Sequence, residues 1–285
     1  MVSLENKIDF AVLFSVENAN PNGDPLSGNR PRVNYDGLGE VSDVAIKRKI
    51  RNRFMDLGHE IFVQSDDRRV DEFENLGRRY GAFAQSLEKG DEDEIVRKSC
   101  EKWIDVRTFG QLFAFKGSKA KGGGVSIGIR GPVSIHPAFS IDPISVTSTQ
   151  ITKSVSSEGD GTKKSSDTMG MKHRVDAGTY VFYGAISPQL AKRTGFSQED
   201  AEILKSSLLT LFENDASSAR PEGSMDVRAL YWWQHNSPSG QYSSRRVHSS
   251  LKIREGEEAS KRGIYENYEI SVDELEGLKP EVIVR

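Results

Sequence analysis

Seven basic residues fall between Arg30 and Arg53, against three acidic ones, Asp36, Glu40 and Asp43. Arg30 and Arg32 stand in a loop of Asn, Pro, Gly and Asp. Lys47, Arg48 and Arg51 stand in the run IKRKIRNR that follows. Lysine and arginine gathered this way are suited to phosphate. They supply charge and N–H donors, bind without reading bases, and lose affinity as salt rises. For an isolated helix the competing explanation is a solvated charged face; Arg30 and Arg32 nearby weaken it. Two further basic segments rest on charge alone. One is KGSKAKGGG, with Lys116, Lys119 and Lys121; the other is the loop HNSPSGQYSSRR, with Arg245 and Arg246.

Other chemistries find little support. The glycine run at 122–124 lacks G-x-x-x-x-G-K-[ST] and leads into a strand, so it is no phosphate loop. The five histidines, His59, His136, His173, His235 and His248, show no H-E-x-x-H and no i, i+4 pair. The single cysteine, Cys100, excludes an internal disulfide and a cysteine-based zinc cluster, which fits a reducing compartment. No metal or cofactor is expected. No window approaches the roughly 18 apolar residues of a membrane span, so a cytoplasmic protein is expected. Net charge is −3 over 285 residues, so anion binding must come from local asymmetry. Acid gathers instead at Glu88 to Glu94 and in the tail from Glu257 to Glu281.

These side chains need elements to hold them. IDFAVLFSV (Ile8 to Val16) reads as a strand buried on both faces. Asn18 to Glu40 reads as a long ordered loop. Ser42 then offers an N-cap, Asp43 suits the first turn, and Ile46, Ile50, Phe54 and Leu57 form one apolar face up to Gly58. Helices are predicted over Val70 to Leu87 and Glu92 to Lys102. VSIGIRGPVSI (Val125 to Ile135) reads as one strand. The polar run Thr152 to Arg174 reads as disordered loop or as an arm. Its strand-like flanks, Ile144 to Ile151 and Thr179 to Ile186, would be the two legs of that arm. SQED at Ser197 opens a helix through Phe212, and MDVRALYWWQ alternates as a strand. A short strand near Ile264 to Ile270 precedes the acidic C-terminus.

The main elements collapse to strand, helix, strand, strand, helix, strand. That predicts an α+β fold of ferredoxin-like or RNA-recognition-motif type, β-α-β-β-α-β. A single domain over 1–285 would carry a helical insertion at 58–124, an arm within 136–178 and an acidic tail at 255–285. The aromatic RNP1 signature is missing, so loops and the helix edge are expected to bind RNA rather than a stacking sheet face.

The stretch NANPNGDPLSGNRPRVNYDGLGEVSDVAIKRKIRN, with DVRTFGQLFAF and the glycine-rich strand after it, resembles a known family. It is similar to the backbone subunit of the type I-C CRISPR surveillance complex Cascade, the Cas seven family of Csd type. The resemblance implies a palm with helical fingers, here the insertion at 58–124, and a β-hairpin thumb, here the arm at 144–178. It also implies copies that polymerise along CRISPR guide RNA (crRNA), kinking it and leaving bases free for target DNA. The implied partners are crRNA, target DNA through the guide, further copies of the chain, the Cascade large subunit and the crRNA-processing subunit. The implied role is non-catalytic. Carried to this sequence, it puts Lys47, Arg48 and Arg51 on crRNA phosphates, with Ser42, Arg30 and Arg32 as further contacts. Met169 and Met171 become apolar wedges of the thumb, with Lys172 beside them. The rival implied by related type III subunits is an RNA-guided endonuclease of target RNA using loop aspartates, here Asp24 or Asp36.

Overall fold

Seven of the nine residues of IDFAVLFSV are apolar and fall on both faces, and the strand they form is the centre of the molecule. In a computed structural model, which describes residues 3–87, 91–115, 125–152, 169–256 and 263–285, β1 (Ile8–Ala19) has neighbours on both edges and cores on both faces. Next come a small hairpin of β2 (Gly23–Asp24) and β3 (Arg30–Pro31), then β4 (Leu38–Val41) and α1 (Asp43–Asp56). An insertion holds α2 (Leu76–Gln85), α3 (Glu92–Lys102), α4 (Ile104–Phe109), β5 (Gly110–Phe115) and β6 (Val125–Arg130). The chain returns through β7 (Val133–Ile135) and β8 (Ala138–Pro143). It then runs out and back along β9 (Val146–Thr152) and β10 (Met169–Ile186). The last part holds α5 (Pro188–Thr194), α6 (Gln198–Leu209), β11 (Met225–Gln234), α7 (Ser244–Ser250), β12 (Leu251–Glu255), β13 (Tyr268–Val272) and β14 (Glu281–Val284). Among the described residues no helix is long and apolar enough to cross a membrane.

The large sheet is antiparallel, in the order β14-β11-β1-β10-β8-β4, with β7 and β9 also pairing β10. Alternation along β1 divides the interior. Ile8, Phe10, Val12, Phe14 and Val16 face α1 and α6, meeting Ile46, Ile50, Phe54, Leu204 and Leu208. Ala11 and Leu13 face the other way, onto Trp233, Val247, Leu251 and Leu278. A third core, around Phe62, Tyr80, Trp103 and Phe113, holds the insertion together. Cys100 lies in it, and burial pushes its thiol up to about 12, which removes it from thiolate chemistry.

Several expected elements moved. Val125 to Ile135 is two strands, because Gly131 presses against the backbone of Thr108–Gly110 and Pro132 has no N–H for a ladder. Its first half, β6, pairs with β5 in a two-stranded sheet of their own among the described residues, so the insertion continues to Arg130. The second helix starts at Leu76, not Val70. Asn75 caps it, and Asp71 accepts from Phe73 N at 3.2 Å ahead of it. The partner of β9 is Met169–Val175, not Thr179–Ile186. The latter is apolar and is held at the centre of the sheet by β1. Helix α6 ends at Leu209, with Leu211 and Phe212 packing from the turn beyond. Arg245 and Arg246 sit on a helix, α7, whose start Ser243 caps, and not in a loop. The acidic tail is partly structural: β14 pairs β11, and Leu275 and Leu278 are buried.

Gly184 of β10 gives a sharp test of this packing. A Cβ there would collide with the Phe10 ring and the Ser134 carbonyl. Gly184→Ala is expected to destabilise the chain by about 1–3 kcal/mol, the usual cost of overpacking. A drop in the urea midpoint would register it; an unchanged midpoint would contradict this packing of β1 against β10.

Candidate nucleic-acid interface

The loop between β1 and α1 is shaped by its own side chains. Asn18, Gly28 and Asn29 take positive φ, a conformation that glycine and asparagine tolerate best. Asp24 accepts from Ser27 Oγ at 2.8 Å and Leu26 N at 3.1 Å. With Arg32 nearby, these bonds hold its carboxyl below the usual range. Asn20 Nδ2 donates to Asn29 O at 2.7 Å, and Asn22 Oδ1 accepts from Ser42 N at 2.9 Å. The loop is thereby tied to the start of α1, where Ser42 Oγ accepts from Ala45 N at 3.2 Å.

On α1 the cations part company. Lys47 pairs with Asp43 one turn back, at 2.9 Å and partly exposed, a contact weak enough for a ligand to replace. Arg48 donates Nη1 to Val63 O at 2.7 Å and borders a cleft. Burial, helped by the charge of Arg51, lowers its pKa, yet a guanidinium stays charged. Arg51 turns inward. Its Nε donates to Asp105 Oδ2 at 3.0 Å and its guanidinium covers the Phe109 ring. Asp105, 1% exposed, also accepts from Phe62 N at 2.7 Å and Val63 N at 3.0 Å. Arg51 thus fastens the insertion to α1.

The cleft beside Arg48 measures about 410 Å³ and is polar. Asn22, Gly23 and Asn29 come to it from the loop, and Lys49 and Asn52 from α1. Arg68 comes from the insertion and Arg220 from the turn before β11. Four cations, Arg48, Lys49, Arg68 and Arg220, face two carboxylates, Asp67 and Asp215. Lys49 is ion-paired to Asp215; burial pulls its ammonium pKa down and the Asp215 charge opposes this. Asn52 Oδ1 is buried without a hydrogen-bond partner. Such a cleft suits a sugar–phosphate backbone, which wants mixed donors and a modest positive field.

The two-stranded arm rises next to this site. Arg30 Nη1 donates to Ser148 Oγ at 2.8 Å, joining β3 to β9, and His173 Nδ1 lies 2.8 Å from the same hydroxyl. Cross-strand pairs Met169↔Thr152 and Met171↔Gln150 put both methionines on one face, 65% and 55% exposed. Lys172, opposite Thr149, lies on the other face with Ile151. Arg245 and Arg246 are far along the chain on α7, where Arg246 covers the Tyr242 ring. Lys116, Lys119 and Lys121 lie outside the described residues.

The structure therefore brings Arg30, Arg32, Ser42, Lys47 and Arg48 to one junction. It commits Arg51 to Asp105 and puts Arg245 and Arg246 elsewhere. Asn22, Lys49, Asn52, Arg68 and Arg220 were missed as cleft residues. The signal for Lys49 and Asn52 was present in the basic run itself. Arg68 and Arg220 reach the cleft only through tertiary folding. Among the described residues no three side chains of His, Cys, Asp or Glu are grouped as metal ligands.

A sequence profile of the family described as "CRISPR-associated protein Cas7" matches residues 6–273. A curated relative from Haloferax volcanii, "CRISPR-associated protein Cas7", is 26% identical over 225 residues, covering 75% of this chain and 66% of the relative. The match thus spans just under two thirds of that relative's length. Among solved structures, a chain of a "CRISPR RNA-guided surveillance complex, pre-nicking" is 13% identical, with a TM-score of 0.47. The match covers 80% of this chain and 78% of that one. A chain of a "CRISPR RNA-guided surveillance complex" is 16% identical, with a TM-score of 0.45. There the match covers 80% of this chain and 68% of that one.

Proposed function

Because the chain belongs to the CRISPR-associated Cas7 family, we propose that it is the crRNA-binding backbone subunit of a surveillance complex of type I-C. The observation that carries this reading is the polar, net-positive cleft at the β1–α1 junction, with an arm standing beside it. In this proposal Arg30, Arg32, Lys47, Arg48 and the start of α1 hold phosphates. The subunit binds guides of any sequence, since phosphate contacts carry no base information. Copies stack head to tail without closing, giving an open helical array along the guide. Specificity for target DNA then comes from guide pairing. The large subunit and the crRNA-processing subunit are its further partners, and the complex works in the cytoplasm.

The sheet order supports reading β1, β7–β8, β10 and β11, with α1 and α6, as an RNA-recognition-motif palm. Residues 58–130 then form the finger insertion, and β9 with β10 the root of the thumb. The subunit is proposed to break no bonds. Of the two loop aspartates a nuclease reading would use, Asp24 and Asp36, Asp24 is engaged by Ser27, Leu26 N and Arg32.

Native co-expression with a CRISPR array tests the proposal. The chain is expected to purify as a multi-copy assembly carrying spacer-length RNA. A monomer free of RNA under those conditions would overturn it. The arm has its own test. Met169→Ala with Met171→Ala removes mostly exposed surface and one exposed bond from Gln150 Nε2 to the Met169 sulfur, so stability should move by less than about 0.5 kcal/mol. If the methionines wedge between bases, reactivity of the bound RNA at kinked positions should fall, as read by chemical probing. An unchanged reactivity pattern would remove them from the interface.

A further inference from the structure

The chain scatters its five histidines, yet the fold sets His235 and His248 against one buried carboxylate, with His136 beside His248. Asp9, on β1, is fully buried. Burial alone would raise its carboxyl, but bonds from His235, Ser244 and Lys7 hold it below the usual range. His235 Nε2 lies 2.8 Å from Asp9 Oδ2, while its Nδ1 accepts from Gln241 N at 3.0 Å. His235 therefore carries its proton on Nε2 and completes the interior.

His248 forms the next layer outward. Its Nε2 donates to Gly184 O at 3.1 Å and lies 3.5 Å from Asp9 Oδ1. Burial lowers its pKa, against the Asp9 charge and the Gly184 bond, so the ring is neutral near pH 7 and Nδ1 is an acceptor. The ring stacks on Tyr183, with centroids 4.9 Å apart, and meets His136 edge-on at 5.9 Å. These three rings, with Ser244, Arg245 and Ser249, line an open cleft of about 430 Å³. Packing accounts for Asp9 and His235. It does not account for His136 and Arg245, which are exposed; among the described residues Arg245 has no hydrogen-bond or ion-pair partner.

The chemistry of this cleft is that of a nucleotide site. Aromatic faces stack on any base, a guanidinium with neighbouring hydroxyls takes a phosphate, and a fixed imidazole acceptor takes a base N–H. Position adds the second half of the argument. Asp9 shares its face of β1 with Ala11 and Leu13, on the side of Trp233 and Val247. Helix α1 packs on the other face, against Phe10 and Phe14. The two clefts therefore open on opposite sides of one sheet.

We propose that the His136–Tyr183–Arg245 cleft holds one nucleotide of a second single strand, RNA or DNA, distinct from the strand held at α1. The inference rests on the reading of α1 as the guide site, and its test separates the two. Fluorescein-labelled oligouridylate and oligodeoxythymidylate of about ten nucleotides, each carrying 5-iodo bases, are titrated onto four full-length chains. The chains are wild type, Lys47→Ala/Arg48→Ala, His136→Ala/Arg245→Ala and the fourfold variant. Both cleft residues are exposed, so the thermal midpoint should not move.

The cleft pair is expected to weaken the α1 double variant by about fivefold or more for at least one probe, the worth of one stacked base. It should also abolish photocrosslinks to His136 or Tyr183. The RNA and DNA arms then say which strand is bound. Affinity within about twofold for both probes, with no crosslink at these residues, would overturn the inference whatever α1 does. Full affinity in the α1 double variant, with loss in the cleft variant, would instead sink the guide-site reading and leave this one standing.

Discussion

Asp105→Ala is expected to cost about 3–5 kcal/mol, the penalty for breaking a buried ion pair by removing one partner. The carboxylate is 1% exposed and serves three donors at once: Arg51 Nε and the backbone N–H groups of Phe62 and Val63. Its loss strands two amides and one guanidinium at a largely buried junction. Since a whole domain is stable by only about 5–15 kcal/mol, the effect should be plain in urea unfolding. Asp105→Asn keeps an acceptor and should fall between the two. A cost below about 1 kcal/mol for the alanine variant would mean the insertion is fastened some other way. The same geometry bears on Arg51. Loss of RNA binding in Arg51→Ala would pass through the fold, so Arg51 belongs in no test of phosphate contact.

Lys47→Ala combined with Arg48→Ala is the cleaner probe. Lys47 gives up only a partly exposed i, i+4 pair, and Arg48 one bond to Val63 O. The stability cost should be about 1–2 kcal/mol. RNA affinity should fall about a hundredfold or more, since two charge-assisted bonds to phosphate are worth at least about 1.5 kcal/mol each. Anisotropy with a labelled guide measures it, and circular dichroism checks the fold. A variant that is folded yet binds RNA as tightly as the wild type would clear α1 of the role.

Much of this was legible before any coordinates. IDFAVLFSV lies in a sheet with cores on both faces because seven of its nine residues are apolar and they point both ways. Ser42 caps α1, and Ser197 with Asp200 forms the capping box that SQED implied. The alternation in MDVRALYWWQ gave a strand at the right residues. What stayed hidden depended on tertiary partners. Nothing local says that Arg51 meets Asp105, 54 positions away, while Lys47 does not. Gly131-Pro132 breaks the run that reads as one strand, and its effect, sending β6 to β5 and β7 to β10, depends on tertiary partners. Asp9 and the three histidines of this cluster come from β1, the turn before β8, the end of β11 and α7, which no spacing rule joins.

The central claim is that the β1–α1 junction grips the RNA backbone, and ionic strength interrogates it directly. The slope of log affinity against log salt counts phosphates neutralised, at about 0.7 per contact for a single strand. Measured for one unstructured RNA, the slope for Lys47→Ala/Arg48→Ala should be shallower than that for the wild type by about 1.4. Equal slopes for the two proteins would contradict the claim.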